Sequence, residues 1–205
     1  MKKTLAILLS AMMMMSFTAC FGNKDNGDTP ETTPPTMEEP VNPDDSASME
    51  ENAPDANADA KLIEARDAVK EALGEGYIPS MAFESVMLSE LYGIDMENVE
   101  AFLAEGPMMS AHVDSFIGLK AKSGKVEDVK AQLTAYRDKL VSDTNQYPTN
   151  LAKINASQVI TKGDYVFFVM VGAMNDNMEA SEEEQVTFAT AEMKKATDAI
   201  DKVFA

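Results

Sequence analysis

The sequence predicts an α+β domain in which a small mixed or antiparallel sheet of three to four strands packs against helices, with a long helix at the C-terminal end. Apolar residues recur at helical spacing in three segments, which supports the helices. Apolar and polar residues alternate over residues 112–121, and two further apolar runs flank a Lys-Gly-Asp turn at residues 162–164. We expect one domain over residues 61–205.

The helices are read from residues spaced three or four apart. The first helix is predicted from Leu62, Ala65, Val69 and Ala72, and a later one from Val126, Val129, Leu133, Tyr136 and Leu140. Residues 83–92 predict a short helix that ends at Gly93, a residue suited to a left-handed cap. A second short helix is predicted from Asp95 to Gly106 and Pro107.

The longest helix is predicted near the C-terminus. Its apolar face comprises Val186, Ala189, Met193, Ala196, Ile200 and Val203. It begins at Ser181, where the serine and Glu184 match a capping box. The acidic run at residues 182–184 is therefore interpreted as a helix start, at the positive end of the helix dipole.

The strands follow from alternation and from one continuous apolar run. Val113 and every second residue to Ala121 are less polar than the residues between them, which predicts a half-buried strand. Residues 157–161 and 165–171 predict the two arms of a hairpin, and the second arm is apolar on both faces, as in a central covered strand. The connection through the 125–142 helix is compatible with a parallel, right-handed crossover.

The charge balance argues against a nucleic-acid partner. The 205-residue chain has a formal net charge of −18. Residues 61–205 contain 24 acidic and 14 basic residues, a net charge of −10. Nucleic-acid binding depends on neutralising phosphates with lysine and arginine, and anionic lipid surfaces attract the same residues.

The N-terminus resembles a bacterial lipoprotein signal peptide. Lys2 and Lys3 precede about fifteen apolar or weakly polar residues, too few for a spanning helix of roughly twenty. The segment ends in Phe-Thr-Ala-Cys, which is similar to a lipobox, so the signal is expected to be residues 1–19. The resemblance implies cleavage before Cys20 and attachment of diacylglycerol and palmitate-type chains to this cysteine. An ordinary signal with an accidental cysteine, or a lone core cysteine, is the alternative.

The anchor would place the protein on the extracytoplasmic face of the membrane. Two acyl chains bind a membrane stably, because each buried methylene contributes about 0.8 kcal/mol, whereas a single chain binds only marginally. Cys20 is the single cysteine in the chain, so no internal disulfide competes for it.

Residues 22–60 have the composition of a disordered acidic tether, which together with Cys20 forms the expected segment 20–60. They contain six of the nine prolines, no aromatic residue, and eleven acidic residues against one lysine. A flexible coil of this length averages about 35 Å end to end, and charge repulsion extends it. A proline-rich interaction motif is the alternative interpretation, although its register is poorly defined.

Several short segments together resemble a family of bacterial lipoproteins called domain of unknown function 4358. They are the lipobox, the tether, Leu91-Tyr92-Gly93-Ile94-Asp95, the helix over residues 124–140, Tyr147-Pro148, and Lys162-Gly163-Asp164-Tyr165-Val166. The resemblance covers about residues 77–175. It implies an extracytoplasmic lipoprotein and supplies no activity, cofactor or catalytic residue.

The residues needed for most catalytic sites are scarce. His112 is the single histidine, and Cys20 is committed to the predicted anchor, so a Cys-His pair and a multi-histidine metal site are excluded within one chain. A Ser-His-Asp triad would need His112 beside a serine, without a G-x-S-x-G motif to place it. Carboxylate pairs for glycoside chemistry stay open, because the chain contains 35 acidic residues.

Two metal hypotheses compete with structural interpretations. Met170, Met174 and Met178, with Met108 and Met109, offer soft ligands for Cu(I), but core or surface packing explains them better. Asn175, Asp176, Asn177 and Glu179 offer oxygen ligands for Ca²⁺, yet lack the EF-hand register, and a polar loop explains them better. No metal or cofactor is therefore predicted.

Glycines and aromatic residues also have structural interpretations. Residues 74–76 read Gly-Glu-Gly after a helix, which predicts a helix stop rather than a phosphate cradle. The aromatic residues Tyr77, Phe83, Tyr92, Phe102 and Phe116 are interpreted as core rather than as a sugar-stacking platform.

We therefore predict a non-enzymatic binding or accessory module that recruits an envelope protein or a small ligand. A carboxylate-dependent envelope hydrolase and a structural spacer or assembly factor are the alternatives.

Overall fold

The fold consists of helices and one sheet in the residues that the computed structural model describes, which are 58–109, 111–143, 145–177 and 179–205. The predicted signal, Cys20 and the tether up to residue 57 lie outside the described residues. The predicted end of the tether at residue 60 is wrong, because Asp59 caps α1 and Ala60 is its first residue. The elements in chain order are α1 (Ala60–Leu73), a 3-10 helix (Gly74–Gly76), β1 (Met81–Ala82), α2 (Ser85–Tyr92), a 3-10 helix (Met96–Asn98), β2 (Val99–Gly106), β3 (Ser115–Ala121), α3 (Val126–Ser142), α4 (Pro148–Ala156), β4 (Gln158–Lys162), β5 (Tyr165–Met170) and α5 (Glu182–Val203).

The sheet confirms the predicted α+β class and is antiparallel throughout. In the described part of the chain it has five strands in the order β1-β2-β3-β5-β4, rather than three or four. Because β3 and β4 are both antiparallel to β5, they run in the same direction, as the crossover suggested, but β5 lies between them. The predicted hairpin is confirmed, since Lys162 pairs with Tyr165 across a turn containing Gly163 at φ 58°.

Both faces of the sheet are covered. On one face, Ile117 and Phe168 pack in a core with residues of α2 and α3, among them Leu88 and Leu133. On the other face, Phe116 and Phe167 pack in a second core with residues of α1 and α5. The covered-strand prediction for β5 is confirmed, whereas the half-buried prediction for β3 is wrong, because Phe116 is also fully buried.

The helix predictions for α1, α2, α3 and α5 are confirmed within one or two residues. In α1, Leu62, Ala65 and Val69 are fully buried, and Ala72 is exposed. Gly93 ends α2 in the left-handed conformation at φ 69°. The capping box of α5 is formed by Ser181 and Glu184, as the sequence indicated.

Two elements differ from the prediction. Residues 95–106, predicted as a helix, form a 3-10 helix capped by Asp95 and then β2. β2 is buried on both faces, with Phe102 in one core and Leu103 in the other, so it lacks the alternation that marks a half-buried strand. The helix α4 was not predicted, because its buried positions include Asn150 and Lys153 and its apolar stripe is therefore interrupted.

Candidate functional site

A cleft lies between α4, the loop that follows β5, and the first two turns of α5. Its volume is about 380 Å³. Apolar side chains form most of its wall, with Ala152 from α4, Met174 from the loop and Phe188 from α5. The polar residues that line it are Thr149, Lys153, Asn175, Asp176 and Gln185. This combination of an apolar wall and a few polar groups is typical of ligand sites.

A second, smaller recess adjoins this cleft. Its volume is about 220 Å³, and it shares Pro148, Ala152 and Gln185 with the first. Leu151 and Val186 add apolar surface there, and Glu182 adds a carboxylate. The two recesses together form an apolar depression along the line where α4 faces α5.

Local sequence features place α4 at this position. Pro148 occupies the first turn of α4, where its fixed φ suits a helix start and its missing N–H is not needed. At the other end, Arg137 of α3 donates hydrogen bonds to the carbonyls of Ser157, at 2.7 Å, and Asn155, at 3.3 Å. Asn150 Nδ2 donates to the carbonyl of Ala111 at 3.1 Å, which ties α4 to the segment before β3.

The loop that follows β5 is held against α5 by a glycine and a carboxylate. Gly172 has φ 119°, and a Cβ there would lie 2.6 Å from the Cβ of Glu192, so only glycine fits. The next amide, of Ala173, donates to Glu192 Oε2 at 3.3 Å, and Glu192 also pairs with Lys195. These contacts fix the direction in which Met174 and Asn175 leave the sheet.

One of the residues that line the cleft, Lys153, belongs to a buried ion pair. Lys153 Nζ lies 2.6 Å from Asp114 Oδ1, and the two residues are 5% and 1% exposed. Burial raises the pKa of Asp114 above its ordinary value, while the charge and hydrogen bond of Lys153 act in the opposite direction. Lys153 also lines the cleft, so the pair links the segment before β3 to the site.

His112 lies beside this pair rather than in a catalytic array. Its Nδ1 is 4.0 Å from Asp114 Oδ2, beyond hydrogen-bond distance, and its side chain is partly exposed. The nearby Ser115 hydroxyl is engaged with the Tyr92 hydroxyl at 3.2 Å and the Val113 carbonyl at 3.3 Å. The geometry of His112, Asp114 and Ser115 is therefore not that of a nucleophilic triad.

The methionines considered as copper ligands have different environments. Met170 is buried in the core between β5 and the helices α2 and α3. Met174 lines the cleft, whereas Met108 and Met109 are exposed, and Met178 lies outside the described residues. The structure therefore gives Met170 the packing role that the sequence favoured.

The residues considered as calcium ligands form local turns. Asn175 Oδ1 accepts from the amide of Asn177 at 3.0 Å, and Asn177 Oδ1 accepts from the amide of Glu179 at 3.0 Å. Gln185 Nε2 donates to the carbonyl of Asn177 at 3.1 Å. These contacts are typical of a polar loop before a helix. In the part of the chain that the structure describes, no cluster of three or more His, Cys, Asp or Glu residues suits a metal ion.

A second buried polar cluster surrounds Glu105 of β2. Its carboxylate accepts hydrogen bonds from Arg66 at 2.7 Å and from Tyr77 at 2.8 Å, and it pairs with Lys70 at 3.3 Å. Burial and the neighbouring Glu105 carboxylate raise the pKa of the Tyr77 hydroxyl. Because this carboxylate is surrounded by donors, the cluster is suited to joining α1 to the sheet.

Of the aromatic residues considered as a sugar platform, Phe83, Tyr92, Phe102 and Phe116 are buried and Tyr77 is partly buried. Their core interpretation agrees with these positions. The cleft residues that sequence reasoning missed include Lys153, Gln185 and Phe188, and it also missed Asp114, the partner of Lys153. A charged residue inside an apolar helical stripe, as at Lys153, was the one available signal.

Cys20, the predicted lipidation site, lies outside the described residues. Within the described ranges, none of the helices combines the length and hydrophobicity needed to cross a bilayer.

Searches of curated proteins and of solved structures find no match to the chain. A family model described as Domain of unknown function (DUF4358) matches residues 60–171, from α1 to the end of β5. The match includes Asp114, α4 and Lys153 and covers more than half of the sequence, and the chain therefore belongs to this family.

Proposed function

We propose that this protein is a lipid-anchored extracytoplasmic lipoprotein whose domain is a non-enzymatic binding or accessory module. Lipidated Cys20 holds the chain on the outer face of the cytoplasmic membrane, and residues 22–57 separate the domain from the headgroups. The sequence of the signal supports the anchor. The cleft between α4 and α5 is the observation that carries the binding role.

The cleft supports a binding role because of its volume and its wall. Its volume of about 380 Å³ is within the range of roughly 300–1,000 Å³ found for small-molecule sites. Its wall is predominantly apolar, and several of its polar groups already make structural contacts, such as Lys153 with Asp114. An apolar wall with few polar groups favours binding by surface burial over bond cleavage.

The carboxylates around the cleft do not favour the rival hydrolase. Glycoside hydrolysis requires two carboxyl groups in different environments, one of them with a raised pKa. Asp176 and Glu182, which line the two recesses, are both exposed. Asp114 is buried with a raised pKa, but its Oδ1 is held by Lys153. These environments support a module rather than an enzyme.

The test is proximity labelling and crosslinking in intact native cells, comparing wild type with Cys20→Ala and with Ala152→Leu, which fills the cleft. We expect wild type to incorporate a clickable fatty acid and to capture a defined partner. Cys20→Ala should lose the fatty acid and the partner, and Ala152→Leu should lose the partner alone. Ala135→Leu makes the same change on the exposed face of α3 and serves as the control.

Two outcomes would contradict the proposal. If the wild-type protein incorporates no fatty acid, the proposed lipid anchor is refuted. If the protein hydrolyses any of a panel of wall glycans, and Asp176→Asn or Glu182→Gln abolishes this turnover, the hydrolase function is supported and the non-enzymatic function is refuted.

A further inference from the structure

We propose that the cleft between α4 and α5 binds a short, uncharged apolar peptide, with an apolar side chain against Ala152 and Phe188 and a backbone carbonyl on the ammonium of Lys153. This inference rests on the proposed binding function and names its ligand chemistry. It is carried by three observations: the donor capacity of Lys153, the charges around the cleft, and the side-chain amides that line it.

Lys153 is a buried hydrogen-bond donor, and one acceptor among the described residues engages its ammonium group. An ammonium group has three N–H donors. Among the described residues, Asp114 Oδ1 is the acceptor that Nζ contacts within hydrogen-bond distance, at 2.6 Å. Lys153 is 5% exposed and lines the cleft. An acceptor oxygen on a ligand in the cleft therefore completes the coordination of this ammonium by a charge-assisted hydrogen bond.

The surrounding charge selects an uncharged acceptor over an anion. The charge of Lys153 is already balanced by Asp114. Asp176 lines the cleft and Glu182 lines the adjoining recess, so the other charged residues that line the two recesses are acidic. The chain as a whole has a net charge of −18. A fatty-acid carboxylate or a phosphate would meet this repulsion, whereas the carbonyl of a peptide would not.

The side-chain amides of the cleft match the peptide group. Gln185 Nε2 donates to the Asn177 carbonyl, and no described residue donates to Gln185 Oε1. Asn175 Oδ1 accepts from the Asn177 amide, and no described residue accepts from Asn175 Nδ2. The residues that line the cleft thus offer one acceptor group and one donor group in addition to Lys153. A peptide group carries one N–H and one C=O, and an apolar residue adds the side chain that the wall suits.

The experiment is a chemical-shift titration of the mature chain, residues 20–205 with Cys20→Ser, against three probes. They are N-acetyl-dileucine amide, N-acetyl-diserine amide and octanoate, which represent the apolar peptide, a polar peptide and an apolar anion. We expect saturable shifts with the dileucine probe, concentrated in α4 and the first two turns of α5. The diserine probe and octanoate should bind at least about tenfold more weakly.

Variants locate the site. Ala152→Leu should weaken dileucine binding at least about tenfold, and the matched Ala135→Leu on α3 should leave it unchanged. The double variant Asp114→Leu/Lys153→Met replaces the ion pair with apolar residues and should weaken binding about tenfold, which corresponds to the loss of one charge-assisted hydrogen bond. Circular dichroism checks that each variant is folded, and the double variant keeps the test decisive if Ala152→Leu unfolds.

The inference is overturned if octanoate binds more tightly than the dileucine probe, or if neither variant changes dileucine affinity. No saturable shift at millimolar probe would overturn it as well. Because the mature chain in this titration is unlipidated, these results are independent of fatty-acid labelling at Cys20. Failure of the peptide inference is thereby separated from failure of the proposed anchor.

Discussion

Asp114 and Lys153 show how one pair of residues links the core to the cleft. Both side chains are almost fully buried, and each balances the charge of the other at 2.6 Å. Burying either charge alone is costly, because desolvation is no longer offset by the partner. Sequence reasoning did not identify the pair, since the two residues are 39 positions apart and one lies in a helix that the apolar spacing did not reveal.

A mutational cycle tests the energetic role of this pair. Asp114→Leu alone leaves the Lys153 ammonium buried without its partner, so we expect the free energy of unfolding to fall by about 3–5 kcal/mol. Asp114→Leu/Lys153→Met removes both charges and should cost much less than this single change. Urea unfolding followed by circular dichroism measures both. A single variant that loses less than about 1 kcal/mol would show that the pair is not coupled as the geometry indicates.

At the scale of elements, sequence patterns succeeded where one face of an element is buried and failed where both faces are. The apolar stripe of α5 could be recognised in the sequence, because the opposite face of the helix is charged. Its residues Ala189, Met193, Ala196 and Ile200 are buried. The strand β2 was mistaken for a helix because Phe102 and Leu103 are buried in different cores. Alternation is absent in such a strand, and its Ala, Leu and Glu residues favour helix by propensity.

The start of α1 depends on Asp59, which joins the helix to the sheet. Its Oδ1 accepts from the Lys61 amide at 2.8 Å and the Tyr165 hydroxyl at 3.0 Å, and its Oδ2 lies 3.3 Å from Lys120 Nζ. Burial raises the pKa of Asp59, but these hydrogen bonds and the Lys120 charge outweigh it and hold the pKa below its ordinary value. The ionised carboxylate is therefore the form that the fold prefers.

This preference gives a pH dependence with a defined sign. A depressed folded pKa contributes stability that is present above the unfolded value, about 3.9, and is lost as the pH falls through the folded pKa. We expect Asp59→Ala to lower the free energy of unfolding by about 1 kcal/mol at pH 7, through loss of the cap. Asp59→Asn keeps a capping side chain, and its difference from wild type should shrink as the pH is lowered below about 3.9.

Denaturant unfolding between pH 7 and pH 2.5 measures these differences. Asp164→Asn removes the same charge from an exposed turn and serves as the control. A difference between wild type and Asp59→Asn that stays constant or grows on acidification would refute the assigned role of Asp59.

At the scale of the whole molecule, the α+β class followed from sequence because it depends on local patterns. The strand order did not follow, since β5 inserts between β3 and β4 through contacts distant in sequence. The cleft was also beyond sequence reasoning. It forms where α4 meets α5, and it depends on the turn that Gly172 makes after β5.

The proposed division into anchor, tether and domain predicts where a protease cuts first. Residues 22–57 contain Glu31, Glu38, Glu39, Glu50 and Glu51, whereas the glutamates of residues 60–171 lie in the folded domain. A protease needs locally unfolded chain, which the proposed tether would supply and a packed domain does not. Brief digestion of membranes with a glutamate-specific protease should therefore release a soluble fragment that begins at Asn52 and leave the lipidated N-terminal piece in the membrane.

Mass spectrometry of the supernatant and the pellet measures both products. Cys20→Ala should yield the same fragment from chains that were never membrane-bound, and digestion in denaturant should cut the domain throughout. Early cleavage within residues 60–171 would contradict the packed domain, because α1 and the sheet would then have to open as readily as the tether. A fragment that stays with the membrane after cleavage at Glu51 would show that the domain itself holds the bilayer, a result that its acidic charge argues against.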